Sequence, residues 1–192
     1  MIQTIFDRGK DDKRMEKVID TKQIKTISKT KQIAVDAMFV ALTLVFTAVV
    51  NIQLGGDGTL IHLGNIPLFL AAMIYGKRTG TLAGAIGMGM FDLLSGYAVW
   101  APCTIITCGL MGFVVGAICH NRKSFFLKFT AIFAALLIKI VGYYIYEAYV
   151  LGSGNIVALK SVPANITQVV VAGVVVLIIE TPIERGLRFF EK

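Results

Sequence analysis

Six apolar stretches follow one another along the chain, at about 33–52, 63–75, 79–95, 100–119, 125–150 and 162–181, separated by short polar connections. Crossing the hydrocarbon core of a bilayer takes about 20 helical residues, with 17–25 common. The second stretch is short and carries Pro67 near its outer end, a break that flanking protein can accommodate. The pattern predicts an all-α integral membrane protein with six transmembrane helices.

The informative positions are the polar ones inside these stretches. Lys139 falls near the middle of the fifth. A charge at that depth costs roughly 2.5–3.5 kcal/mol on insertion scales and is rarely left facing lipid. Tyr143, Tyr146 and Glu147 follow at i+4, i+7 and i+8, which places all four side chains on one helical stripe. The fifth helix therefore needs neighbours on a polar inner face.

Charge in the connections sets the orientation. Residues 1–31 hold nine Lys or Arg against five Asp or Glu, and they precede the first stretch. Lys77 and Arg78 follow the second, Arg122 and Lys123 the fourth, and Arg185, Arg188 and Lys192 end the chain. The intervening connections 51–62 and 96–99 have no basic residue, and 152–161 has only Lys160. Cytoplasmic loops carry the Lys/Arg excess, so both termini are expected inside. The alternation also retains the short second stretch as a span. The expected organisation is a solvated basic tail, 1–31, and one membrane domain, 32–192.

Composition agrees with this class and removes others. Of 192 residues, 56% are hydrophobic and 16% charged, a membrane composition. Cys103, Cys108 and Cys119 form no Cys-x-x-Cys pair and read as packing residues. His62 and His120 stand alone and read as boundary hydrogen-bonders. No metal site and no cofactor is expected, and no nucleic-acid partner. The chain has no phosphate-binding Gly-x-x-x-x-Gly-Lys-Ser/Thr loop, no Gly-x-Ser-x-Gly elbow and no His-Glu-x-x-His pair, so it reads as a non-enzyme.

Orientation gives each polar residue a depth. Asp92 ends the third span. Trp100 and Thr104 open the fourth. Lys139, Tyr143, Tyr146 and Glu147 occupy the middle and outer half of the fifth, and Asn165 and Gln168 lie at the outer start of the last. Gln53 and Asn65 belong to the first outer connection. The outer half thus gathers aromatic rings, amides and both charges, the usual lining for a small ring-containing ligand. These eleven residues are the candidate substrate-binding set. Small residues (Ala37 and Ala41; Gly80, Gly84, Gly87 and Gly89; Gly109, Gly112 and Gly116) mark faces of close helix approach, either internal or toward another membrane subunit.

Further features carry a family resemblance. Ala37 and Ala41 follow the charged tail. Gly64, Asn65, Ile66 and Pro67 lead through an apolar run to Gly76, Lys77, Arg78, Thr79 and Gly80. A glycine-rich helix ends in Phe91, Asp92, Leu93, Leu94, Ser95 and Gly96, and the last span opens Ser161, Val162, Pro163, Ala164, Asn165. From about residue 31 to 190 the chain resembles an S component of an energy-coupling factor (ECF) vitamin transporter. The resemblance implies a six-helix substrate-binding subunit with its pocket near the external face. It implies association with a transmembrane scaffold subunit and two cytoplasmic ATPases, in a prokaryotic plasma membrane. It implies that Ala37 and Ala41 contact the scaffold and that 51–65 acts as a lid. With both charges, several amides and one Trp, the set suits a pyridoxine-like or hydroxymethylpyrimidine-like ring, with riboflavin or pantothenate as alternatives. A self-sufficient small secondary transporter is the competing class.

Overall fold

The computed structural model describes residues 29–53, 60–122 and 124–190; the side chains at 52, 53, 60 and 188–190 lie outside that description. The tail expected at 1–31 is therefore outside it up to residue 28. The described residues from Asp36 onward form one body.

Six helices account for nearly all of the described chain: α1 (Lys29–Val49), α2 (Asn65–Tyr75), α3 (77–94), α4 (Ala101–Cys119), α5 (Phe125–Val150) and α6 (Asn155–Phe190). Four of them, Lys29–Val49, Ala101–Cys119, Phe125–Val150 and Asn155–Leu187, are long and apolar enough to cross a membrane. Two helices widen locally into π-type turns, α3 over Ala83–Met88 and α5 over Tyr146–Val150. The connection after α1 is a strand pair, β1 (Asn51–Gln53) with β2 (Leu60–His62), antiparallel with Asn51 opposite His62. Apolar periodicity gives no sign of so short a ribbon.

The second apolar stretch becomes the hub. Helix α2 has eleven residues, about 16 Å at 1.5 Å per residue. Every residue from Asn65 to Met73 is buried, as expected of a helix apolar on all sides. It stops at Gly76, whose φ of 91° is open to glycine at little steric cost, and the chain turns directly into α3.

Glycines bring α3 against α4. A Cβ on Gly112 would strike the Gly80 carbonyl, and one on Gly84 would strike the carbonyl of Cys108. Gly80 also faces α2, since its Cβ would sit 2.6 Å from that of Ala72. Without a hydrophobic drive between helices in lipid, such backbone contact supplies the packing energy. These glycine faces are therefore used inside the body. Gly87 does the same for α1, where a Cβ would come within 2.8 Å of the Val40 carbonyl.

Helix α1 buries Asp36, Phe39, Thr43 and Thr47, a stripe at i, i+3, i+7 and i+11. Ala37 and Ala41 lie on its exposed side. Helix α6 starts at Asn155, seven residues before the apolar stretch. Pro163 forfeits one backbone bond, the one to residue 159, yet the helix runs through it, so Asn165 and Gln168 sit inside a helix and not at its start.

Candidate functional site

Helix α5 buries Lys128, Ala131, Ala135 and Lys139 in one stripe, at helical spacings of three and four. Both lysines reach α6. Lys139 Nζ donates to Gln168 Oε1 at 2.8 Å, and Lys128 Nζ lies 2.5 Å from Glu180 Oε2. The higher number on α5 meets the lower on α6, so the two helices are antiparallel.

Around Lys139 the other elements contribute in turn. Its side chain is 1% exposed, and its ammonium lies 5.6 Å from the centroid of the Tyr143 ring, a cation–π distance. The Tyr143 hydroxyl shares a 2.8 Å hydrogen bond with Thr104 Oγ1 from α4. Trp100, just before α4, stacks on Tyr143 at 6.3 Å and tilts against Tyr146 at 6.0 Å. Asp92 of α3 is buried, and its Oδ2 has no hydrogen-bond partner. Asp92 and Lys139 act on one another electrostatically, yet they form no ion pair within 4.0 Å. Seven of the sequence-predicted residues are thus joined: Asp92, Trp100, Thr104, Lys139, Tyr143, Tyr146 and Gln168.

The remaining candidates divide. Asn65, at the start of α2, is 0% exposed with both amide atoms lacking a partner. Asn165 is buried on α6. Glu147 is buried but turns to α6, where Ser161 Oγ donates to its Oε2 at 2.6 Å. Tyr146, held in the cluster by its ring contact with Trp100, donates its hydroxyl outward to the Val99 carbonyl at 2.5 Å. The expected single stripe from Lys139 to Glu147 thus splits at its far end, where the π-type turn beginning at Tyr146 changes the rotation per residue. Gln53 lies on β1 opposite Leu60, and its side chain is outside the described residues.

His62, expected as a boundary hydrogen-bonder and outside the candidate set, is a neighbour of the site. It is buried on β2, and its Nδ1 accepts the Gly64 N–H at 3.3 Å. Burial, and then the Lys139 ammonium, hold its pKa well below the ordinary 6.5. An imidazole accepting a hydrogen bond at Nδ1 is the neutral form. Ser161 and Lys128 were likewise missed. Lys128 sits three residues into an apolar stretch, where a charge reads as a boundary, but its eleven-residue separation from Lys139 was a usable signal.

The opposite end of the body is polar in a different way. Asp36 Oδ1 accepts from Thr79 Oγ1 at 2.8 Å, and Arg78 Nε lies 3.2 Å from Asp36 Oδ2. Together with Lys128–Glu180 these are closed ion pairs, in contrast to the open group of charges around Lys139. Among the described residues no group of three His, Cys, Asp or Glu could hold a metal ion.

Membrane-length helices around a short buried hub, with polar groups converging at one end, define a multi-pass helical membrane protein. The chain belongs to the ECF-type riboflavin transporter S component family, whose model matches residues 27–185. It is therefore a transporter subunit of the vitamin-binding kind, not an enzyme. It is 26% identical over 170 residues to the thiamine precursor transporter HmpT of Lactococcus lactis subsp. cremoris (strain MG1363), covering 88% of this chain and 93% of that protein. It is 29% identical over 115 residues to a Pyrococcus woesei protein described only as an uncharacterized protein in the gap 3′ region, covering 59% of this chain and 76% of that one.

Proposed function

We propose that this chain captures a small vitamin-type heterocycle, most specifically a hydroxymethylpyrimidine-like thiamine precursor, as the solute-binding subunit of an ATP-driven ECF importer. The carrying observation is the cluster of buried Asp92, Thr104, Lys139 and Gln168 with half-buried Tyr143, contributed by α3, α4, α5 and α6 and flanked by Trp100. Such a cluster combines an aromatic face with donors and acceptors of both charges, which a polar aromatic ring can satisfy. The similarity to a thiamine precursor transporter supports that solute. Riboflavin is the second reading, supported by the description of the matching family.

All six helices span or enter the bilayer of a prokaryotic plasma membrane, with both termini cytoplasmic. The alternation of Lys and Arg in the connections supports this topology. The chain works with a transmembrane scaffold and two ATPase subunits. Ala37 and Ala41, exposed on α1 while its opposite face is buried, meet the scaffold. Mass spectrometry of solute copurified with the chain tests the reading. A hydroxymethylpyrimidine supports it, and any solute outside the vitamin-type heterocycles overturns it.

A further inference from the structure

The two lysines of the α5 stripe are placed alike and partnered differently. Lys128 is closed on a carboxylate, Glu180, at 2.5 Å. Lys139, about three turns further on, bonds the neutral amide of Gln168 at 2.8 Å. Yet a carboxyl group, Asp92, lies within its electrostatic reach. Asp92 keeps Oδ2 buried and without a partner, and no ion pair joins it to Lys139.

Opposite charges in a medium of low dielectric attract strongly and close on one another unless the scaffold holds them apart. Here it does. Gln168 and the Tyr143 ring hold the ammonium from α6 and α5. Asp92 is fixed on α3, two residues before the helix ends at Leu94. An ammonium has three donors and no acceptor, and an ionised carboxylate accepts only. Between them they complement a group that offers an acceptor on one side and a donor on the other.

We propose that Lys139 and Asp92 are a split ion pair that reads one edge of the captured solute. The Lys139 ammonium donates to a ring nitrogen or carbonyl oxygen, and the Asp92 carboxylate accepts from the adjoining N–H. This rests on the solute-capture reading and narrows it to an uncharged heterocycle with a donor beside an acceptor, such as an aminopyrimidine or cyclic imide edge. A net anion would face Asp92 with like charge, and a net cation would face Lys139. Pyridoxine-like rings, which set no N–H beside the ring nitrogen, fit less well.

The test titrates the purified chain and follows the fluorescence of its single tryptophan, Trp100, which stacks on Tyr143. Two probe pairs are used: 4-amino-5-hydroxymethyl-2-methylpyrimidine against its deamino analogue, and riboflavin against 3-methylriboflavin, in which the imide N–H is blocked. For whichever parent binds, loss of the donor should weaken binding roughly 10–100-fold, the range for a hydrogen bond to a charged group. Equal binding of parent and blocked analogue overturns the proposal without any variant. Asp92→Asn should shrink the gap between parent and analogue, and an unchanged gap also overturns it. Lys139→Met should weaken parent and analogue alike. Wild-type affinity in the Lys139→Met, Asp92→Asn double variant would make the pair structural only. If neither parent binds but a vitamin-type heterocycle without a donor beside an acceptor does, the proposal is overturned while solute capture stands; if no vitamin-type heterocycle binds, the solute-capture reading itself fails.

Discussion

Lys128 and Glu180 meet at 2.5 Å across α5 and α6, both nearly enclosed by protein. Removing one partner of a buried pair leaves the other charge stranded, a loss of about 3–5 kcal/mol, whereas replacing both by apolar residues of similar size is often neutral. Lys128→Met and Glu180→Leu should each lower the thermal unfolding temperature of the purified chain sharply, and the double variant should recover most of it. Additive losses in the double variant would mean that the two side chains do not act as a pair.

The α3–α4 contact is built on absent side chains. Gly112→Val places a Cβ against the Gly80 carbonyl, and backbone cannot yield as a flexible side chain does. Overpacking of this sort costs about 1–3 kcal/mol, occasionally more. Gly186→Ala on α6, where a Cβ would meet nothing within 4 Å, is the control. Monodisperse yield and unfolding temperature should fall for the first and hold for the second.

Ala37 and Ala41 present Cβ atoms on the exposed side of α1. Ala37→Leu or Ala41→Leu should leave solute affinity and stability unchanged, while uptake by the assembled importer drops, because close helix approach needs small residues. Normal uptake by both variants would remove α1 from the docking surface.

His62 gives the chain a pH dependence of defined sign. Its folded pKa lies below the unfolded value near 6.5, held down by burial first and the Lys139 ammonium second. The unfolded state therefore binds the extra proton more readily, and stability falls as pH drops below about 6.5 while staying level above it. Protonation at Nδ1 also breaks the bond from the Gly64 N–H. Unfolding temperatures from pH 7.5 to 5 should show this slope, and His62→Gln should flatten it.

What the sequence made legible was whatever depended on length and charge. The apolar stretches at 100–119 and 125–150 correspond closely to Ala101–Cys119 and Phe125–Val150, and the buried lysine at 139 sits among Gln168, Tyr143 and Thr104 by way of its helical stripe. What escaped depended on local backbone departures or on partners far along the chain. The π-type turn at Tyr146 sends Tyr146 to Val99 and Glu147 to Ser161. The run of α6 through Pro163 hides seven helical residues. Lys128 shares the stripe of Lys139, but its partner Glu180 lies fifty-two positions away, a pairing that no local pattern carries.

The central claim is that this subunit binds its solute alone and moves it only with partners. Reconstitution tests that most directly. Proteoliposomes carrying the purified chain should bind 4-amino-5-hydroxymethyl-2-methylpyrimidine or riboflavin at the cluster around Lys139, but accumulate neither. ATP-dependent uptake should begin only when the scaffold and both ATPase subunits are added. Net uptake by the chain alone, without ATP, would contradict the claim and identify a self-sufficient transporter.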